Sequence, residues 1–114
     1  MARFEIVPEG ARWSGRDYVS AALIPIAPEK LAELVGVPLV RGVESGLGSW
    51  EAIGLRLKSG TLVELIRYLA KPGPPGFEVR VDNNANIAVA LQEVIAALGV
   101  PSQSVAWVSP RVRA

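Results

Sequence analysis

Apolar and polar residues alternate strictly over Phe77–Val81, with Phe77, Val79 and Val81 on one side and Glu78 and Arg80 on the other. A period of two predicts a half-buried strand. The same alternation in "ARFEIV" predicts a short strand that stops at Pro8, Glu9 and Gly10. "YVSAALIPI" (18–26) is apolar on both alternations, the pattern of a strand central in its sheet or covered on both faces. "SVAWV" (104–108) predicts a last short strand, in which Trp107 belongs to the core or the sheet edge.

Two segments switch to helical spacing. In "APEKLAELVGVP", Leu31, Leu34 and Val35 form an apolar stripe, Pro28 and Glu29 suit the first turn, and Gly36 and Pro38 end the helix. In the second, Ile87, Leu91, Val94, Ile95 and Leu98 share a face, and Gly99 and Pro101 close it. The turn before it, "DNNAN", is rich in capping side chains, and Asn83 or Asn84 is the expected cap. This turn lacks the glycines and lysine of a phosphate-binding loop, so its polar residues are read as helix-starting chemistry. Both helices end in Gly-Val-Pro, an echo that a duplicated strand-helix-strand unit or the ordinary chemistry of helix ends would explain.

"SWEAIGLRLKSGTLVELIRYL" predicts a hairpin whose register follows from its faces. A two-residue turn at Ser59-Gly60 would put Glu64 on the face of Ile53, Leu55 and Leu57. A three-residue turn, Lys58-Ser59-Gly60, pairs Leu57 with Thr61, Leu55 with Val63, Ile53 with Leu65 and Glu51 with Arg67. It keeps one face apolar and ends it with opposite charges, so the second register is expected. Residues 9–17, Leu39–Trp50 and the proline-rich 70–76 read as loops, the second with a brief extended piece at its start.

The elements together predict a single α+β domain over residues 1–114. It is a two-layer sandwich with a mainly antiparallel sheet of five to six strands and two helices on one face, and a ferredoxin-like arrangement with an added strand satisfies the order. The length of 114 residues leaves room for one core. With 50% hydrophobic residues and a mean hydropathy of +0.31, apolar surface beyond the needs of that core is expected as an interface. Leu62, Ile66 and Tyr68, on the hairpin's second face, are the residues expected to stand uncovered and bind a partner, and Trp13 is a further contact candidate.

Charge and composition exclude more than they assign. The net charge of +1 is spread along the chain and gives no footprint for nucleic acid or an anionic membrane; the basic end "PRVRA" is too short to change that. The sequence has no Cys and no His, which removes thiol chemistry, disulfides, the usual metal ligands and the usual general base. No metal and no cofactor is expected. Glu51 and Glu64 lie on the two hairpin arms but project from opposite faces, which argues against an acid/base pair. The glycines of "RGVESGLGSW" follow a helix and lead into a strand without a lysine, so they match neither phosphate-binding fingerprint. No apolar run reaches signal-peptide or membrane-span length, and a cytoplasmic protein is expected.

Two readings of function remain. The first is a non-catalytic interaction module that binds itself as a homodimer, a protein partner, or both, and whose size would suit an inhibitor or immunity role. The second is a small-molecule binder or minor enzyme with a pocket between the sheet and the 41–50 loop, lined by Arg41, Glu44 and Trp50.

Overall fold

The computed structural model describes residues 4–7, 18–46, 48–70, 76–82, 86–101, 105 and 107–108, with the side chains of Glu44 and Trp107 outside that description. The chain runs β1 (Phe4–Ile6), β2 (Tyr18–Ile24), α1 (Pro28–Val35), β3 (Val40–Glu44), β4 (Gly48–Leu57), β5 (Leu62–Tyr68), β6 (Phe77–Asp82), α2 (Ile87–Leu98) and β7 (Trp107–Val108). This is the α+β architecture that the periodicities predict.

Among the described residues, seven strands join one antiparallel sheet, in the order β1-β4-β5-β6-β2-β7, with β3 also on β4. At ten residues, β4 carries two partners on one edge: β3 pairs along Gly48–Ala52 and β1 along Leu55–Leu57. Strands β2 and β5 are both antiparallel to β6, so they are parallel to each other with β6 between them. Read as β2-α1-β5-β6-α2-β7, this is the split β-α-β pattern of ferredoxin-like domains. Strands β3 and β4 are interposed after α1, and β1 is added outside.

The β4-β5 hairpin takes the predicted register, with Leu55 opposite Val63, Ile53 opposite Leu65 and Glu51 opposite Arg67. Leu57 N–H donates to Thr61 O at 2.9 Å and Gly60 N–H to Leu57 O at 2.8 Å, closing the three-residue turn. Gly60 has φ +95°, a conformation that a side chain disfavours. Face segregation fixes the pairing because a one-residue slip would send every side chain of β5 to the wrong layer.

Both helices cover the same face. Leu31 and Val35 of α1 and Ile87, Ala90, Leu91, Val94 and Leu98 of α2 pack with Ile53, Leu55, Leu57, Val63, Leu65, Phe77, Val79 and Val81 in one core. Burial on this face is the main source of stability, because each fully buried aliphatic or aromatic side chain contributes about 1.5–3 kcal/mol. Leu34, expected in the α1 stripe, is instead 36% exposed. The repeated Gly-Val-Pro ends are built differently. Gly36 N–H donates to Ala32 O, whereas Gly99 N–H donates to Ala96 O and Val100 N–H to Ile95 O.

Two further expectations are corrected. Residues 40–44 are a strand and not part of a loop, so the 39–50 segment is a second hairpin, β3-β4. The cap of α2 is Asn86, whose Oδ1 accepts from Val89 N–H at 3.2 Å, instead of Asn83 or Asn84. Those two asparagines, Trp13 and the basic end at Arg111 and Arg113 lie outside the described residues.

Candidate functional site

The alternation of β4 divides its charged and aromatic residues between two faces. On the helix face, the row Arg41-Glu51-Arg67 crosses β3, β4 and β5 in register. Glu51 is 2% exposed, and its Oε1 accepts from Arg67 Nε at 3.0 Å and from Arg67 Nη2, while Arg41 Nε stands 3.5 Å from Oε2. The Arg67 guanidinium also lies over the Phe77 ring, 5.8 Å from its centroid. A carboxylate so deeply buried is tolerable only with such partners. The row holds two cations and one anion.

The opposite face is amphipathic. Trp50 sits opposite Gly42 on one side and Tyr68 on the other. Its ring lies so close over Gly42 that a Cβ there would come 2.7 Å from Cε2 and nearer still to Cζ2. Trp50 and Tyr68 pack against Ala52 and Ile66, which are buried at 0% and 1% exposure. Arg80, directly opposite Glu64 on β6, leans along the face to place its guanidinium 5.7 Å from the centroid of the Tyr68 ring. It pairs with Glu78 through Nε, and its Nη1 is 3.5 Å from Oε1 of Glu64, itself 2% exposed. Burial lowers the pKa of Arg80, but the hydrogen bond and charge of Glu78, with a smaller contribution from Tyr68, outweigh it and hold the pKa above its ordinary value. Arg80 is therefore a fixed cation. At the far end Arg56 Nη1 donates to Glu5 Oε1 at 2.9 Å.

The residues expected to bind are thus placed unevenly. Tyr68 stands partly exposed on the second face, but Ile66 and Leu62 are buried at 1% and 9% exposure, so these two do not stand uncovered in a single chain. The expectation fails because Ile66 and Ala52 pack with Trp50 and Tyr68 into a small cluster of their own. Arg41 and Trp50 are on opposite faces of the sheet, since their cross-strand partners Glu51 and Gly42 alternate, and the expected 41–50 pocket does not bring them together. Glu44 pairs with Gly48 at the end of β3. Sequence reasoning missed Arg80 as a site residue; the signal was its alternation with Glu78 on a strand next to the one that carries Tyr68.

Glu51 and Glu64 face opposite layers, as predicted, so they cannot act as a carboxylate pair. Among the described residues no group of three or more acids is placed to hold a metal ion, and no helix is long and apolar enough to cross a membrane. Comparison of the chain with protein-family models, with curated proteins and with solved structures finds no match in any of the three.

Proposed function

We propose that the protein is a non-catalytic interaction module and that the sheet face turned away from both helices is its contact surface. The observation that carries this reading is the contiguous placement of Trp50, Tyr68 and Arg80 around the buried pair Ala52 and Ile66. Tryptophan, tyrosine and arginine are the side chains that most often dominate binding energy at protein interfaces. Here they are pre-ordered by neighbouring strands, which lowers the entropy cost of association.

Charge narrows the partner. The strand alternation puts Glu5, Glu64, Glu78 and Asp82 on this face, against Arg56 and Arg80. Glu64 is buried at 2% exposure, so among the described residues three acids face two bases, a slight acidic excess around an aromatic centre that would complement a basic protein carrying an apolar anchor. Neutralising such a partner is one role that this surface would serve.

The test uses a photo-crosslinking side chain at position 56, on the proposed face, and another at position 89 on α2 as the control. Crosslinking in the native host, with the solution mass measured in parallel, should give an adduct with a basic protein from position 56 only, lost in Trp50→Ala. Adducts of the chain with itself alone would replace the hetero-partner with a second copy. A monomer with no position-dependent adduct would sink the reading.

A further inference from the structure

A second surface, independent of the aromatic face, lies at the edge of the sheet. Strand β3 pairs with β4 along one side, and among the described residues nothing pairs with its other side. Val43 is 79% exposed and the Arg41 side chain 77%. Such exposure requires open solvent beside the strand as well as over it. Edge strands of this kind are usually protected, because their backbone N–H and C=O groups can template a further strand.

The rows that end at this edge specify what would fit. Arg41-Glu51-Arg67 alternates cation, anion, cation, and Arg41 meets Glu51 through Nε from the exposed end of the row. A carboxylate on an added strand, opposite Arg41, would continue the alternation. The adjacent row runs Val43-Ser49-Leu69: Val43 is opposite Ser49, and Leu69 N–H donates to Ser49 O at 2.9 Å. Its outer residue, Val43, calls for an apolar neighbour.

We propose that the free edge of β3 accepts an extended segment of a partner protein in which an acidic residue lies two positions from an apolar one. Backbone pairing supplies the affinity, and the Arg41 and Val43 positions supply the selectivity. A second copy of this chain fits less well. Two-fold antiparallel pairing sets one residue opposite its own copy. Centred on Arg41 it opposes like charges, centred on Gly42 it sets Arg41 against Val43, and centred on Val43 it sets Arg41 against Ser45. None of these registers gives Arg41 a carboxylate.

The test is a titration of the intact protein with a short capped peptide in which threonine alternates with glutamate and valine, read by amide exchange and NMR shifts over Val40–Glu44. Binding below about 1 mM is expected, with slowed exchange of β3 amides. A lysine-for-glutamate peptide should bind at least about fivefold more weakly, and backbone N-methylation of the peptide should abolish binding. Arg41→Gln should erase the preference for glutamate over lysine, while Val89→Ala, at an exposed position of α2, should leave peptide binding unchanged. No binding at about 1 mM, or equal binding of the two peptides, would overturn the proposal. So would protection of β3 that appears without peptide as the solution mass doubles, which would assign the edge to a second copy.

Discussion

The ring of Trp50 lies across Gly42, its direct cross-strand neighbour, in the volume that a Cβ on Gly42 would occupy. A glycine inside a strand is unfavourable by itself, because it loses the most backbone entropy and leaves a gap on the sheet. An aromatic ring from the next strand fills that gap, so β3 is held to β4 by side-chain cover as well as by the backbone ladder.

Gly42→Ala should therefore displace the indole. We expect a loss of about 1–3 kcal/mol of stability, the range for a methyl group forced into a packed site. Denaturant unfolding measures the loss, and near-UV circular dichroism should show reduced tryptophan signal. An unchanged spectrum with unchanged stability would mean that the ring does not rest there.

The buried Glu51 makes the hairpin sensitive to single and not to paired substitution. Arg67→Leu leaves Glu51, 2% exposed, with only the exposed Arg41 at 3.5 Å. It should cost roughly 2–3 kcal/mol, somewhat less than a fully buried pair because Arg67 is itself 35% exposed. Joining it with Glu51→Leu should recover most of that loss, since two apolar side chains need no charge partner. Chemical denaturation of the two variants decides it; equal losses would show that Glu51 is solvated well enough to stand alone.

Asn86→Ala removes the acceptor for Val89 N–H at the start of α2. A cost of about 1 kcal/mol is expected, with helix content little changed because the buried stripe still docks. Asn83→Ala and Asn84→Ala serve as comparisons in thermal melts, and a larger shift from either than from Asn86→Ala would contradict the capping geometry.

These particulars show what was legible in the sequence. The β4-β5 register could be read because only one turn length keeps Ile53, Leu55 and Leu57 free of Glu64. Strand β3 could not, because Val40, Gly42 and Glu44 fall on one alternation and Arg41 and Val43 on the other, so neither face is consistently apolar. Part of its stability comes from Trp50 on another strand, a tertiary contact that no window within β3 contains. The cap was ambiguous among several asparagines in one turn, and the start of the apolar stripe at Ile87 decides it. From the sequence Leu62 and Ile66 look uncovered, because a strand's pattern says which residues share a face, not what packs over that face. The importance of Arg80 depended on the order of β5 and β6, which brings it to Glu64 and Tyr68.

Arg80 and Glu64 give the sharpest test of the aromatic face. Glu64 is 2% exposed and 3.5 Å from Arg80 Nη1, so Arg80→Met should take one cationic partner from a buried carboxylate. A loss of about 2–4 kcal/mol is expected, and Glu64→Leu added to it should restore much of the loss. The pH dependence follows from the raised pKa of Arg80. A cation whose pKa is higher folded than unfolded contributes fully below its unfolded value, and the contribution disappears only as pH rises through the folded value. The stability difference between wild type and Arg80→Met should thus stay flat from about pH 7 to about pH 10. A difference that shrinks steadily across that window would mean that Arg80 titrates there and is not the fixed cation of the face.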